Sequence, residues 1–438
     1  MSKHIPDRYT KNLLRENSNS YMPAFFYMNL KFPFYDSPVV LYNLPKSDLA
    51  AFIHEYIHFI QDITTYWGLN NAYVYSEYIH GAVNQIYQYP KGSFCVPFRI
   101  SNNSNNIELN QAFINKCIGN YDNIDSLFIT NIEVTKENVK FNSTYLKELE
   151  HVYLKLPRRK IQFGARAIME SMAYLLEKQI ASGGSGVYEY PYCSAEFIVL
   201  KEYPEFAKST LNILALCDLS LQFSNPAAIF IKTLLKFKRE HYVPNKATEL
   251  YEYFYSMPCA QMGKECSFTE SLFNLGQVVR ERLKAYLDHP VFDSFHRIVD
   301  NLIICGLDYR INNPTFILDI AESGHVLYNN PMRILFNRIG TPIIKDCNEE
   351  YFVINPSFIS NDELQYFPAI EQILNLFTEG HDCCDMLCWC QQSIHNNVIV
   401  DDRCINTPWE RCADNNLCPY ATLWKHWNLS GYTPKKIK

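Results

Sequence analysis

No stretch of the chain approaches the run of about 18 consecutive apolar residues that a membrane-spanning helix needs, so no span is expected. The first twenty residues, MSKHIPDRYTKNLLRENSNS, lack the apolar core of a signal peptide. Basic charge is not in excess either: 40 Lys and Arg stand against 46 Asp and Glu, for a net charge of −6. That balance gives no electrostatic case for binding nucleic acid or an anionic membrane. No internal repeat is evident. These absences lead to the expectation of a cytoplasmic protein, in which the fifteen cysteines are reduced or metal-bound rather than paired in disulfides.

What is present suits a folded chain. Apolar residues make up 47% and charged residues 20%, and 31 Tyr and 28 Phe supply large side chains for burial. At 438 residues the chain is too long for one small core, so two or three structural units are expected.

The most informative stretch is His54-Glu55-Tyr56-Ile57-His58, which reads HExxH. In a helix the two histidines, four residues apart, project from one face and can grip one Zn²⁺ together. Glu55 then stands where a carboxylate can take a proton from water at the metal. The flanking sequence supports a helix over about 48–66. Ser47 and Asp48 follow Pro45 as an N-cap and first turn, and Leu49, Phe52, Ile53, Tyr56, Ile60 and Ile63 recur at helical spacing. Gly68 is the expected stop.

A catalytic zinc has three protein ligands and an open position for water. The metzincin completion, HExxHxxGxxH, fails because positions 61 and 64 are Gln and Thr. In its motif the chain resembles the gluzincins, the thermolysin and aminopeptidase group, over the HExxH helix and a candidate glutamate helix. The resemblance implies a zincin-like peptidase core and a third ligand from a glutamate on a later helix. Glu77 and Glu170 compete for that role. Glu77 has aminopeptidase-like spacing, but it faces away from the stripe of Ala72, Tyr75, Ile79, Ala82, Val83 and Ile86, beside His80 and Asn84. Glu170 lies in a segment that is apolar on nearly every side, where an unpaired carboxylate is costly, and burial therefore favours it as the ligand. Its bland alternative is an ion pair with Arg166, one turn away. Asp62 is a candidate outer partner or an exposed residue, Glu177 and Tyr174 read as structural, and His241 and His325 are distant candidates for oxyanion support.

Along the chain, short strands are expected at 25–30 and 39–42, then the motif helix, then a second helix over about 72–88. Strands at 94–100, 127–134 and 139–141, broken by an Asn- and Ser-rich loop at 101–106, form a β-rich insertion. A helix over 162–180 follows, then helices at 195–201, 211–223, 227–240, 247–255, 267–287, 291–305 and 364–376, with strands and turns at 314–360. The expected class is α+β, predominantly helical. The expected organisation is a catalytic region at 1–190, a mainly helical region at 191–376 and a Cys-rich segment at 377–438.

Seven cysteines crowd the tail: Cys383, Cys384, Cys388, Cys390, Cys404, Cys412 and Cys418, with His381, His395 and His426 nearby. Their density invites a second, structural zinc, although neither paired C-x2-C nor ferredoxin spacing is present. Buried free thiols packed among Trp389, Trp409, Trp424 and Trp427 are the competing expectation. The functional expectation is a zinc-dependent peptidase acting on a peptide or protein, with His54, His58 and Glu170 on the metal and Glu55 as general base. The competing one is a non-catalytic zinc-binding interaction or sensor protein.

Overall fold

The computed structural model describes residues 19–22, 26–34, 40–98, 105–140, 146–181, 187–257, 259–261, 264–285, 287–348, 350–354, 365–392 and 400–437. The longer helices are α1 (Lys46–Thr64), α2 (Tyr66–Ile86), α3 (Asn105–Ile118), α4 (Ala165–Ile180), α5 (Thr210–Ser220), α6 (Pro226–Arg239), α7 (Phe268–Ala285), α8 (Asp293–Asn312), α9 (Tyr366–Glu379) and α10 (Pro419–His426). The fold is mixed α and β and mainly helical, as its patterning predicts.

Helix α1 lies at its centre, packed by α2, α4, α8 and strand β1 (Ser20–Met22). It starts behind Pro45, with Asp48 in its first turn, but Ser47 sits inside the helix and does not cap it. From Phe52 to Thr64 every residue is buried. Phe52, Ile53, Tyr56, Ile57, Phe59, Ile60 and Ile63 are fully enclosed. At about 2 kcal/mol per large apolar side chain, their burial contributes on the order of 10–20 kcal/mol, enough to carry two imidazoles and a carboxylate into the core.

Helix α1 ends differently from the expected stop at Gly68. Thr65 adopts an extended conformation and breaks the helix, and its hydroxyl then accepts the Gly68 N–H at 3.1 Å to cap α2. Gly68 is needed for proximity: a Cβ there would meet the Asp62 backbone at 2.4 Å. The C-terminus of α1 is held by buried Arg310 of α8, whose Nε donates to the Thr64 carbonyl at 3.2 Å while Nη1 and Nη2 grip Asp218 at 2.8 and 2.7 Å. A cation at that end also suits the helix dipole.

The insertion between α2 and α4 comprises α3 and an antiparallel sheet of β4 (Asn131–Lys140), β5 (Leu146–Lys155) and β6 (Lys160–Phe163). The helix predicted from 162 begins only at Ala165, because β6 runs to Phe163 and Gly164 separates the two. Gly164 crosses Gly119 so closely that a Cβ on it would meet the Gly119 nitrogen at 2.3 Å. Residues 40–43 form a helical turn rather than a strand, and 316–322 and 330–339 are short helices within the stretch read as strands and turns. Residues 101–104 of the expected Asn-rich loop lie outside the described residues, and its last two begin α3.

Strands distant in sequence meet in two places. One four-stranded sheet has the order β1, β2 (Tyr27–Asn29), β9 (Ile343–Lys345), β10 (Tyr351–Phe352), with β2 and β9 parallel. Strand β3 (Gly92–Val96) pairs in parallel with β11 (Tyr432–Lys436). These pairings tie the last hundred residues to the first. Among the described residues no helix is long and apolar enough to cross a membrane.

Candidate metal centre

His54 and His58 sit one turn apart on the face of α1 that meets α4, and Glu170 projects from α4 toward both. His54 Nε2 lies 3.2 Å from His58 Nε2 and 3.2 Å from Glu170 Oε2, and His58 Nε2 lies 3.5 Å from the same oxygen. Four ligands around zinc with bonds of about 2.0–2.1 Å stand roughly 3.3–3.4 Å apart, whereas neighbours in a six-coordinate shell at that bond length stand roughly 2.9–3.0 Å apart. The triangle of donor atoms matches the first spacing.

The far sides of the imidazoles fix their protonation. His58 Nδ1 lies 2.8 Å from Gln61 Oε1, and Gln61 Nε2 donates to the Met169 carbonyl at 3.1 Å, which turns its oxygen toward the ring. His54 Nδ1 lies 3.1 Å from Glu177 Oε2. Both partners accept, so each ring donates from Nδ1; a neutral ring then presents the lone pair of Nε2, which on His54 requires a cation to displace the Nε2 proton. Two lone pairs and a carboxylate oxygen then converge within 3.5 Å in a nearly enclosed space, an arrangement that calls for a cation.

The local field already favours positive charge. Burial alone would lower the His54 imidazolium, but the carboxylates of Glu170 and Glu177 outweigh it and push it up to about 10. Burial likewise opposes the charged form of Glu170, yet His54, His58 and Arg166 hold it well below the usual carboxylate range. Glu55 moves the other way: burial raises its pKa, against the pull of His54 and His58. It receives the backbone N–H of Tyr21 in β1. Two neutral nitrogens and one carboxylate suit zinc, and the residues present fit that ion.

The structure brings His54, His58, Glu55 and Glu170 together and sends Glu77 elsewhere. Glu77 accepts from Tyr73 at 2.7 Å and Asn110 at 3.2 Å and pairs with Arg282 at 3.4 Å. The expected pair with Arg166 also exists: its Nε lies 3.8 Å from Glu170 Oε1, leaving Oε2 to the histidines. Glu170 is more open than its helix suggested, its side chain being 17% exposed, and the more buried carboxylate is Glu177. Asp62 is buried and accepts the Tyr21 hydroxyl at 2.9 Å. Tyr174 is buried beside Tyr192, and Tyr192 also packs edge-on against His54. His241 is exposed, and His325 caps the turn at Val326–Tyr328; neither belongs to the cluster. Gln61 and Glu177 are the contributors that sequence reading missed as partners of the ligands. Their only signal was helical spacing, three residues after His58 and seven after Glu170.

The tail carries a second, more exposed group: Cys383 Sγ lies 3.0 Å from His381 Nε2, which lies 3.2 Å from Asp385 Oδ1. His395 and the Cys388 side chain lie outside the described residues. No protein-family model, curated protein or solved structure matches the chain.

Proposed function

We propose that this protein is a zinc-dependent metallohydrolase with a zincin-like centre, acting as a peptidase. The observation that supports it best is the convergence of His54 Nε2, His58 Nε2 and Glu170 Oε2 at zinc-ligand spacing beside Glu55. Among the described residues no fourth protein donor joins the three, which leaves a coordination position for water or substrate. Bound there, zinc would lower the pKa of a coordinated water and polarise the carbonyl under attack.

The chain's own groups divide the remaining work. Glu55, kept out of the ligand triangle, takes the proton of the attacking water and returns it to the leaving nitrogen, so the peptide bond breaks with no net proton change. Gln61 and Glu177 hold the imidazoles in the metal-binding tautomer, and Arg166 steadies the free oxygen of Glu170. Strand β1, at the edge of its sheet, runs beside Glu55, which suits an extended peptide as substrate.

The test is to compare Glu55→Gln with wild type for zinc content and for cleavage of a peptide library read by mass spectrometry. The expected result is full zinc and a loss of cleavage of at least about 100-fold. A Glu55→Gln variant that cleaves at the wild-type rate rejects the assigned role. Wild-type protein that holds zinc but cleaves nothing in the library moves the protein to the alternative, a zinc-binding interaction or sensor protein.

A further inference from the structure

We propose that Cys384, Cys390, Cys404 and Cys418 form a second, four-thiolate zinc site that fastens the C-terminal segment. The four come from separate pieces of chain: Cys384 precedes the short helix Leu387–Gln392, Cys390 lies within it, Cys404 is in the turn Arg403–Asn406, and Cys418 caps α10. The fold gathers them. The Cys384 N–H donates to the Cys404 carbonyl at 2.9 Å, and Cys384 lies within the electrostatic reach of Cys390, Cys404 and Cys418. Cys390 in turn feels Cys404 and Cys418.

The surroundings are built for anionic sulfur. Arg411, almost fully buried, donates from Nη1 to Cys404 Sγ at 2.9 Å, and its charge also reaches Cys390 and Cys418. It also pairs with Asp401 at 3.6 Å and Asp414 at 3.3 Å, both also bonded to Arg403. Backbone N–H groups point at two of the sulfurs: Ala421 at 3.4 Å and Tyr420 to Cys418, and Met386 to Cys384. A neutral thiol is a weak acceptor that gains little from such donors, whereas a thiolate gains much. The Tyr420 hydroxyl is the independent sign. It is buried, has no hydrogen-bond partner among the described residues, and lies in the field of Cys384 and Cys418. A buried hydroxyl left without an acceptor is costly, and a metal-bound thiolate beside it supplies one.

Burial pushes the thiols of Cys384, Cys390 and Cys418 up, so these three do not ionise unaided. Zinc exchanges the four S–H bonds for four Zn–S bonds and releases the protons to solvent. The sulfurs are set more widely than the donors at His54, His58 and Glu170, so closing on the ion requires rotation of the cysteine side chains. Cys412 is half-buried outside this group, and Cys383 is engaged with His381 and Asp385.

The test uses the full chain, purified reduced and zinc-replete, with zinc counted by mass spectrometry. Wild type should hold two zincs, Cys404→Ser and Cys418→Ser one, and Cys383→Ser two. His58→Ala should hold one, and a mercurial that titrates thiols should release it. Zinc retained in His58→Ala but lost in Cys404→Ser supports the tail site even if the first centre holds none. Loss of all zinc in His58→Ala overturns the tail site, and loss of one zinc in Cys383→Ser transfers it to His381, Cys383 and Asp385. Iron with acid-labile sulfide rejects zinc. If the serine variants do not fold, cobalt-loaded wild type decides: strong thiolate-to-cobalt charge-transfer absorption supports four sulfur ligands, and its absence overturns them.

Discussion

The imidazole of His58 depends on a residue that carries no charge. Gln61 is held by the Met169 carbonyl, and its amide oxygen in turn orients His58. Gln61→Leu keeps most of the volume but removes the acceptor, which frees the ring to present either nitrogen. Zinc affinity should fall by about 10–100-fold with little change in fold, measured by competition with a chelator. Unchanged affinity would show that the ring is oriented by packing alone, including its contact with His54. The pairing of His54 with His58 was legible in the sequence because a helix places residues four apart on one face whatever surrounds it. Glu170 was reached by the cost of burying a carboxylate, although it proved partly open. Gln61 was invisible because a glutamine three residues along a helix has no distinguishing pattern until α4 supplies its partner carbonyl.

At the scale of elements, the junction of α1 and α2 controls how tightly the site is held. Gly68 allows the start of α2 to cross Asp62 at backbone contact, just beyond His58 and Gln61. Gly68→Ala puts a methyl group at 2.4 Å from backbone that cannot rotate away. It should destabilise the fold by about 1–3 kcal/mol and weaken zinc binding with it, read by urea unfolding and chelator competition. A variant as stable as wild type would mean that the helices separate without cost. Element boundaries were less legible than the motif. Gln162 and Phe163, the end of β6, were absorbed into the following helix because a short strand end suits either period until β5 pairs with it. Helix α3 was missed because its Asn-rich start resembles a loop, and its apolar face declares itself only against α2 and α4.

For the molecule as a whole, one buried carboxyl outside the His54–His58–Glu170 cluster gives stability a pH dependence of its own. Glu371 in α9 is pushed by burial, and secondarily by Asp385, from an ordinary value of 4.5 up to about 8. Between these values the unfolded chain gives up a proton that the folded chain keeps. The stabilisation is therefore complete below about pH 4.5, declines as pH rises, and is gone above about pH 8. The difference corresponds to an upper bound of about 5 kcal/mol. Glu371→Gln should flatten the decline and be more stable than wild type at pH 8, as read by urea unfolding at pH 5 and pH 8. Equal slopes for the two proteins would exclude Glu371 as the cause. The helical, mixed character of the fold was readable from periodicity, whereas the joining of its first and last segments through β2 with β9 and β3 with β11 was not. Parallel pairing leaves no turn between the strands for a reader to find.

The pairing of residues 92–96 with 432–436 also sets a schedule. At about 5–20 residues per second, a ribosome emits β11 on the order of half a minute after β3. Helices α1 and α4 can meet on the nascent chain, whereas β3 waits for its neighbour until residues 432–436 have been made. A chain cut short before residue 432 would carry His54, His58 and Glu170 and leave β3 without the strand that pairs with it.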